Sequence, residues 1–379
     1  MKNRYSKKIK KSLKLIFVNI NVLILLIFYI SFLTVSFYEI YKTTDISTHG
    51  TILSRYKEET HIKYDWAKQY FEDEFQVKGE YHAFVGYKES PFSSETINID
   101  NDGYRISRNN SDKPDIYFLG GSTMFGYGSD DMNSIPSLFS KLTDDSLSVR
   151  NMGNADHSST QSLLKIHEEL ISHPNPKYII SYEGVNELVS LTSGMDSNLK
   201  QGYYNDFKRA IDENLNNQSS LTFESFFKNR FTQIRDFTFL SLRKLRVIEY
   251  KSIDEMYLSD RQSVEKAVTV LLENWRLISL IGDAKNIKVY LFLQPQLSSN
   301  DHKSDYLQDI ETYATFYQKL YPLILSEIET NPNYEIIEKN FYDLSKVLDN
   351  KNPYFYDHCH LNPDGNLIIA QSMVKNIFK

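Results

Sequence analysis

From residue 113 onward, short apolar runs alternate with stretches whose apolar residues recur every three or four positions. The runs at 116–119, 148–152, 178–182, 289–293 and 334–337 are four or five residues long and rich in apolar residues. Runs of that kind suit strands buried on both faces of a sheet. Helical stripes lie between them. Ser134 precedes Ile135, Leu138, Phe139 and Leu142, with Pro136 in the first turn, which predicts a capped helix. A second helix starts near Thr160 and turns Leu163, Ile166, Leu170 and Ile171 inward. Ser259, Asp260, Arg261 and Gln262 have the form of a capping box ahead of Val264, Ala267, Val268, Leu271, Trp275 and Ile278. A last helix follows Asn362 and Pro363. This alternation predicts a parallel sheet with helices on both faces.

Three segments fall outside that rhythm. Residues 191–258 form too long an interruption for an ordinary connection. They are rich in Phe, Tyr, Lys and Arg, and read either as a cap over the site or as a decorative or membrane-facing insertion. Residues 39–112 are a polar lead-in of no clear period. Within it, 60–75 suits a helix standing off a membrane, and Asp102-Gly103 marks a turn between two strand-like runs. The N-terminus differs most. Residues 1–14 carry Lys2, Arg4, Lys7, Lys8, Lys10, Lys11 and Lys14 and no acid, and residues 15–38 then carry no charge. A bilayer needs about 20 apolar residues, whereas the apolar core of a secretory signal is about 7–15 residues long and ends in a small-residue cleavage site. No alanine precedes Ala67. The expectation is an uncleaved, single-pass signal anchor at 15–38, with the basic tail 1–14 in the cytoplasm and the rest beyond the membrane. Asn19 and Asn21 within it suit the polar interface, or mark a helix partner.

Composition adds little to this, and charge removes one class. The net charge of −6 gives no reason to expect nucleic acid as a partner. The 14% aromatic content would suit a sugar-binding surface, but a genome bias toward Asn, Lys, Ile, Tyr and Phe is the better reading. Cys359 is the only cysteine, so no intrachain disulfide can form and an exported domain must be held by its core. A catalytic thiol and simple packing are both open to Cys359.

The candidate chemistry sits at strand ends. Gly120, Gly121, Ser122 and Thr123 follow the first strand, where ligands of open α/β sheets bind. The glycines allow a sharp turn that projects the Ser122 hydroxyl. Two rival glycine loops fail. A P-loop needs Gly-Lys-Ser/Thr, and no lysine lies between Lys113 and Lys141. A dinucleotide fingerprint breaks at Asp131, where its third glycine belongs. Gly153 and Asn186 also follow strand candidates. With the Ser122 N–H, the Gly153 N–H and the Asn186 amide form a candidate oxyanion hole. Taken singly, each also fits an ordinary strand-to-helix turn. A serine hydroxyl needs a base and the base needs an orienter, roles that suit His360 and Asp357. His358 is a rival base. A metal site built from Asp357, His358, His360 and His157 is an alternative that leaves Ser122 and Asn186 unexplained.

These blocks, in this order, resemble the SGNH (GDSL-like) hydrolases. Gly121 to Gly126 is similar to the family's nucleophile block, Asn151 to Gln161 to its second, Gly184 to Glu187 to its third, and Asp357 to His360 to its Asp-x-x-His. Gln294 and Pro295, after the fourth strand, are also similar to the family pattern. The resemblance covers about residues 113–379. It departs in Gly121, where the family usually has Asp, and in Glu187, where it also has Asp. The Gly-Gly-Ser variant, with Asn101 to Arg105 ahead of it, resembles anchored members found with bacterial surface-polysaccharide assembly. The resemblance implies a flavodoxin-like three-layer α/β/α sandwich, Ser122, His360 and Asp357 as the triad, and neither metal nor organic cofactor.

The resulting expectation is an enzyme of the bacterial cytoplasmic (inner) membrane. It has a tail at 1–14, an anchor at 15–38, a lead-in at 39–112 and a hydrolase-like domain at 113–379 on the periplasmic or extracellular side. It acts as a serine esterase on O-acyl or O-acetyl groups of a surface glycan or related ester. Its expected partners are that substrate, the lipid bilayer and polysaccharide-assembly proteins. An O-acyltransferase with the same triad, and a catalytically silent glycan-assembly scaffold, are the other two readings.

Overall fold

The computed structural model describes residues 58–187, 261–301 and 314–378, together with the helical positions Asn19, Val22, Tyr29 and Ile30. Apart from those four positions, the expected tail and anchor at 1–38 lie outside the described residues, as do the insertion at 191–258 and the first half of the expected capping box at 259–262. Among the described residues, no helix is long and apolar enough to cross a membrane.

After helices at Glu58–His61 and Ala67–Gln76 come two short antiparallel pairs: β1 (Gly79–His82) with β2 (Gly86–Glu89), and β3 (Phe92–Ser93) with β4 (Asn98–Ile99). Five parallel strands follow: β5 (Ile116–Gly120), β6 (Val149–Asn151), β7 (Tyr178–Glu183), β8 (Lys288–Leu293) and β9 (Phe341–Asp343). They lie in the order β6-β5-β7-β8-β9. Numbered within the sheet that order is 2-1-3-4-5, the flavodoxin-like arrangement, whose ligand crevice opens between the first and third strands. Here those are β5 and β7.

Alternate residues of each strand feed two cores. Tyr117, Leu119, Ile179, Val289, Leu291 and Leu293 face one side, covered by helices Ser159–Ser172, Arg261–Lys285 and Ala314–Thr330. Ile116, Phe118, Val149, Ile180, Tyr182 and Phe292 face the other, covered by helices Ile135–Leu142 and Pro363–Ile377. The result is the three-layer α/β/α sandwich. The burial of Ala267, Val268, Leu271, Trp275 and Ile278 follows the expected helical stripe.

Three expectations are corrected. Residues 334–337 are not a strand. Asn331 caps a 3₁₀ turn at Pro332–Tyr334, a one-turn helix follows at Glu335–Glu338, and Tyr334 and Ile337 bury themselves one turn apart. The fifth strand is Phe341–Asp343. Ile171 is 73% exposed, because it lies about 100° round the helix from Leu170. The helix expected at 60–75 forms as Ala67–Gln76 behind a single turn, Glu58–His61. It does not stand off. Tyr70 and Phe71 are buried with Phe125 and Tyr356 of the sheet domain.

Arg105 fixes this packing. Its side chain is fully buried. Nε donates to Asp131 Oδ1 at 2.8 Å, Nη1 to Phe125 O and Gly126 O at 3.1 and 2.8 Å, and Nη2 to Thr96 O and Ser129 O at 3.3 and 2.7 Å. The backbone of Arg105 bridges both Ile99 and Asn151, tying the lead-in to the sheet edge. Arg105→Met would strand the Asp131 carboxylate and remove five hydrogen bonds. We expect it to destabilise the domain by about 3–5 kcal/mol in chemical denaturation.

Candidate active site

Ser122 is the first residue of a one-turn helix, Ser122–Phe125, that follows β5 after Gly121. In that position its N–H has no acceptor within the helix. The two glycines before it are required mainly for room. A Cβ on Gly120 would stand 2.7 Å from Tyr182 O, and one on Gly121 would stand 2.1 Å from Asn186 Nδ2. The φ of Gly121 is −85°, which any residue can adopt. Asn186 lies just past β7, across the switch point from Ser122, and its Nδ2 donates to His157 O at 2.7 Å.

The loop before the last helix brings in His360. An antiparallel bridge between Phe355 and Leu361 closes it, and Asn362 at its end caps the helix through Gly365 N at 3.0 Å. His360 Nε2 lies 2.7 Å from Ser122 Oγ, and His360 Nδ1 lies 2.6 Å from Asp357 Oδ2. Asp357 Oδ1 accepts from Cys359 N and His360 N at 2.9 and 2.8 Å, so the loop backbone fixes the carboxylate that fixes the ring. Two tyrosine rings flank the imidazole: Tyr356, stacked at 5.6 Å, and Tyr127, tilted at 5.6 Å. Ser122, His360 and Asp357 therefore stand in hydrogen-bonded sequence. With Nδ1–H donating to the carboxylate, Nε2 presents its lone pair to the hydroxyl.

His358 does not take that place. Its Nδ1 is 3.9 Å from Asp357 Oδ1, and its backbone carbonyl accepts from Leu297 N at 2.8 Å. Cys359 is buried, with Sγ 3.8 Å from His360 Nδ1. Asp357, Cys359 and His360 offer ligand atoms within 4.8 Å of one another. A metal there would have to break the Asp357–His360 hydrogen bond, whose 2.6 Å leaves no room for an ion between the two atoms. His157 is remote from that group in its bonding. It is buried, and its Nε2 donates to Tyr87 O at 3.0 Å.

Gly153 departs from its expected role. Its N–H donates to Asn151 Oδ1 at 3.0 Å, because the asparagine two residues back closes a turn on it. What the position requires is the absence of a side chain: a Cβ there would stand 2.3 Å from Phe125 N. Gly153 thus packs under the Ser122 helix. Glu187 acts locally. Its Oε1 accepts from Ser159 N at 2.7 Å at the start of helix Ser159–Ser172.

Burial of charge sets the electrostatics. Burial alone would raise the Asp357 carboxyl, but the adjacent His360 overcomes it and holds the carboxyl well below the usual range. Burial alone would depress His360; Asp357 first, then Cys359, reverse this and push the imidazole well above its ordinary value. Behind the site Lys165 is fully buried and donates to Met152 O at 2.6 Å and Asn154 Oδ1 at 2.5 Å. Its burial, and then Lys88, depress it strongly. Burial raises the Glu89 carboxyl to about 7. The motif blocks do not single out Lys165 or Glu89. A lysine on the inward stripe of an amphipathic helix was the available signal for the first.

No family model matches the chain, and neither does any curated protein. The fold is similar to that of solved structures. One is a carbohydrate acetylesterase family member from Sinorhizobium meliloti, at 9% identity and TM-score 0.38, covering 70% of this chain and 99% of that one. Another is a GDSL-like lipase from Bacteroides thetaiotaomicron, at 14% identity and TM-score 0.35, covering 69% and 87%. A third is an acetyl xylan esterase, at 14% identity and TM-score 0.34, covering 69% and 98%. At such scores the likeness carries no argument about chemistry, which rests on the residues above.

The raised imidazole has a pH consequence. A base must be neutral, and His360 loses its proton only above its ordinary value near 6.5. With Ser122 activated through His360, kcat/KM should climb with pH along an acid limb placed above 6.5. Asp357→Asn removes the main cause of the shift. It should move that limb to lower pH and reduce kcat by about 10⁴-fold. The pH profiles of both proteins on one soluble ester would show whether the limb moves.

Proposed function

We propose that the chain is a serine esterase of the SGNH (GDSL-like) kind, removing O-acyl or O-acetyl groups from a glycan or a related ester. The observation that carries the reading is the run of contacts from Ser122 Oγ to His360 Nε2 at 2.7 Å and from His360 Nδ1 to Asp357 Oδ2 at 2.6 Å. Ser122 Oγ attacks the ester carbonyl as His360 Nε2 takes its proton. The tetrahedral oxyanion is held by the Ser122 N–H and the Asn186 side-chain amide. His360 then returns the proton to the leaving alcohol, and the acyl group stays on Ser122. A water, deprotonated by the same Nε2, releases the acid and restores the hydroxyl. Asp357 stays ionised throughout and stabilises the imidazolium.

The glycan target and the place of work extend this reading. The uncharged segment 15–38 behind a basic tail supports a membrane anchor with the hydrolase domain on the periplasmic or extracellular side, where surface polymers and their assembly proteins are within reach. Transfer of the acyl group to a sugar hydroxyl uses the same residues, with the acceptor replacing water in the second half-reaction.

A fluorophosphonate probe and a simple acetyl ester test the reading directly. Wild type should be labelled on Ser122 and should hydrolyse the ester, while Ser122→Ala should do neither. Equal labelling of the two proteins, with no turnover by either, would sink the esterase reading. Acetyl transfer to an added glycan outpacing hydrolysis would turn it toward the transferase.

A further inference from the structure

The turn that carries the Asn186 contact is held from outside the sheet. It runs from Asn154 to His157, closed by His157 N donating to Asn154 O at 3.4 Å, with Asp156 in the left-handed region at φ 52°. At its far end His157 O accepts from Asn186 Nδ2. That amide stands where a Gly121 Cβ would collide, one residue from the nucleophile. A shift of this turn therefore shifts Asn186 relative to Ser122.

Two sets of side chains grip it. From the sheet side, Lys165 Nζ binds Met152 O and Asn154 Oδ1, and Asn154 N donates to Gly120 O at 3.3 Å. From the lead-in side, β2 supplies the rest. Tyr87 Oη donates to Ala155 O, and the buried Glu89 carboxyl stands by the Ala155 N–H, which favours its ionised form. Tyr87 O accepts from His157 Nε2 at 3.0 Å, and the Tyr87 and His157 rings meet edge to face at 4.8 Å. Ala155 O and the ring of His157 are thus held by one strand, which also sets the Glu89 carboxyl beside Ala155 N. Among the described residues, that strand pairs with β1 alone and lies outside the five-stranded sheet.

We infer that Tyr87 and Glu89 of the lead-in are positioning residues for the oxyanion side of the site, acting through the 154–157 turn on Asn186. The inference rests on the esterase reading for its kinetic consequence, and on geometry alone for the clamp. An oxyanion donor is effective only when fixed before the charge develops. A displacement near 1 Å in a site of this kind costs on the order of 10²-fold in rate. Neither residue touches the substrate carbonyl, so their loss should fall on kcat and leave KM nearly alone.

The experiment uses the full chain with Tyr87→Phe, Glu89→Gln and Glu89→Ala. Tyr87→Phe keeps the ring on His157 and removes one hydrogen bond. Glu89→Gln keeps an oxygen for Ala155 N–H, and Glu89→Ala removes it. Tyr87→Phe and Glu89→Ala should lower kcat on an acetyl ester on the order of tenfold, at near-constant KM and melting temperature, with Glu89→Gln close to wild type. The same two should speed amide hydrogen exchange at residues 154–157. Unchanged kcat, or Glu89→Gln behaving like Glu89→Ala, or losses that follow melting temperature, would overturn the inference. If wild type itself neither labels with fluorophosphonate nor turns over, the esterase reading has failed. The exchange rates then decide the clamp alone, and unchanged exchange in both variants refutes it.

Discussion

The Arg105 guanidinium is the constraint on which the rest of the site depends. It is planar, always charged and carries five N–H donors in a fixed fork. Here they are directed at Asp131 and at four backbone carbonyls, those of Thr96, Phe125, Gly126 and Ser129. Three of those carbonyls belong to the end of the Ser122 helix and the loop that leaves it. A one-turn helix has almost no stability of its own. Its geometry must come from what holds its ends, and Arg105 holds the C-terminal one. Gly126 allows the approach: its φ of 101° turns the chain, and a Cβ would sit 2.8 Å from Arg105 Nη1. The charge that makes the fork useful also makes it costly to bury, and Asp131 offsets that cost only at close range. The carboxylate is in turn fixed by Asn98, whose Nδ2 donates to Oδ2 at 2.9 Å.

The lead-in is therefore part of the site and more than a spacer. Arg105 leaves it to hold the loop after the nucleophile, and Tyr87 and Glu89 leave it to hold the turn beside Asn186. His61 leaves it to pack on Tyr356 at 5.2 Å, the ring that stacks on His360. One segment outside the sheet thus braces the surroundings of Ser122, Asn186 and His360. The parallel sheet supplies the positions at β5 and β7, and the lead-in supplies the rigidity. Pre-organised sites depend on such support, because a donor free to relax toward the ground state gains nothing in the transition state.

Much of this is legible in the sequence, and the limits have physical causes. Four of the five strand candidates lie where the structure has strands, since a doubly covered parallel strand leaves an apolar run that little else imitates. The fifth does not, because Tyr334 and Ile337 suit a strand and a single helical turn equally well, and Asn331-Pro332 decides for the turn. The strand that forms, Phe341–Asp343, is at the sheet edge and half-covered, so its apolar signal is weak. Ser122, His360, Asp357 and Asn186 all stand out in the sequence, and the structure places them together at the strand ends. Gly153 reads as a donor in the sequence. A glycine at a close approach looks the same there as one that offers its N–H, and only the Asn151 contact separates them. Tyr87, Glu89 and Lys165 belong to no motif signal. The contacts of Tyr87 and Lys165 cross 70 and 11 residues of chain, and no local pattern records such a partner.

The surroundings of His360 bear on the second half of the proposed reaction. The Tyr356 ring lies nearly parallel to the imidazole, at 18°, and is buried; Tyr127 stands beside it and is half-buried. Together they fix the plane of the base and keep bulk water from those sides. The His360 side chain is 18% exposed. In the proposed second half-reaction, the hydroxyl that releases the acyl group must meet His360 Nε2. Water needs no guidance to do so, whereas a sugar hydroxyl needs a surface that holds its ring while the hydroxyl reaches the base. Tyr127 is a partly buried aromatic whose ring lies 5.6 Å from that of His360. Under the proposed function, hydrolysis and transfer by one triad would differ in how long the acceptor is held beside His360.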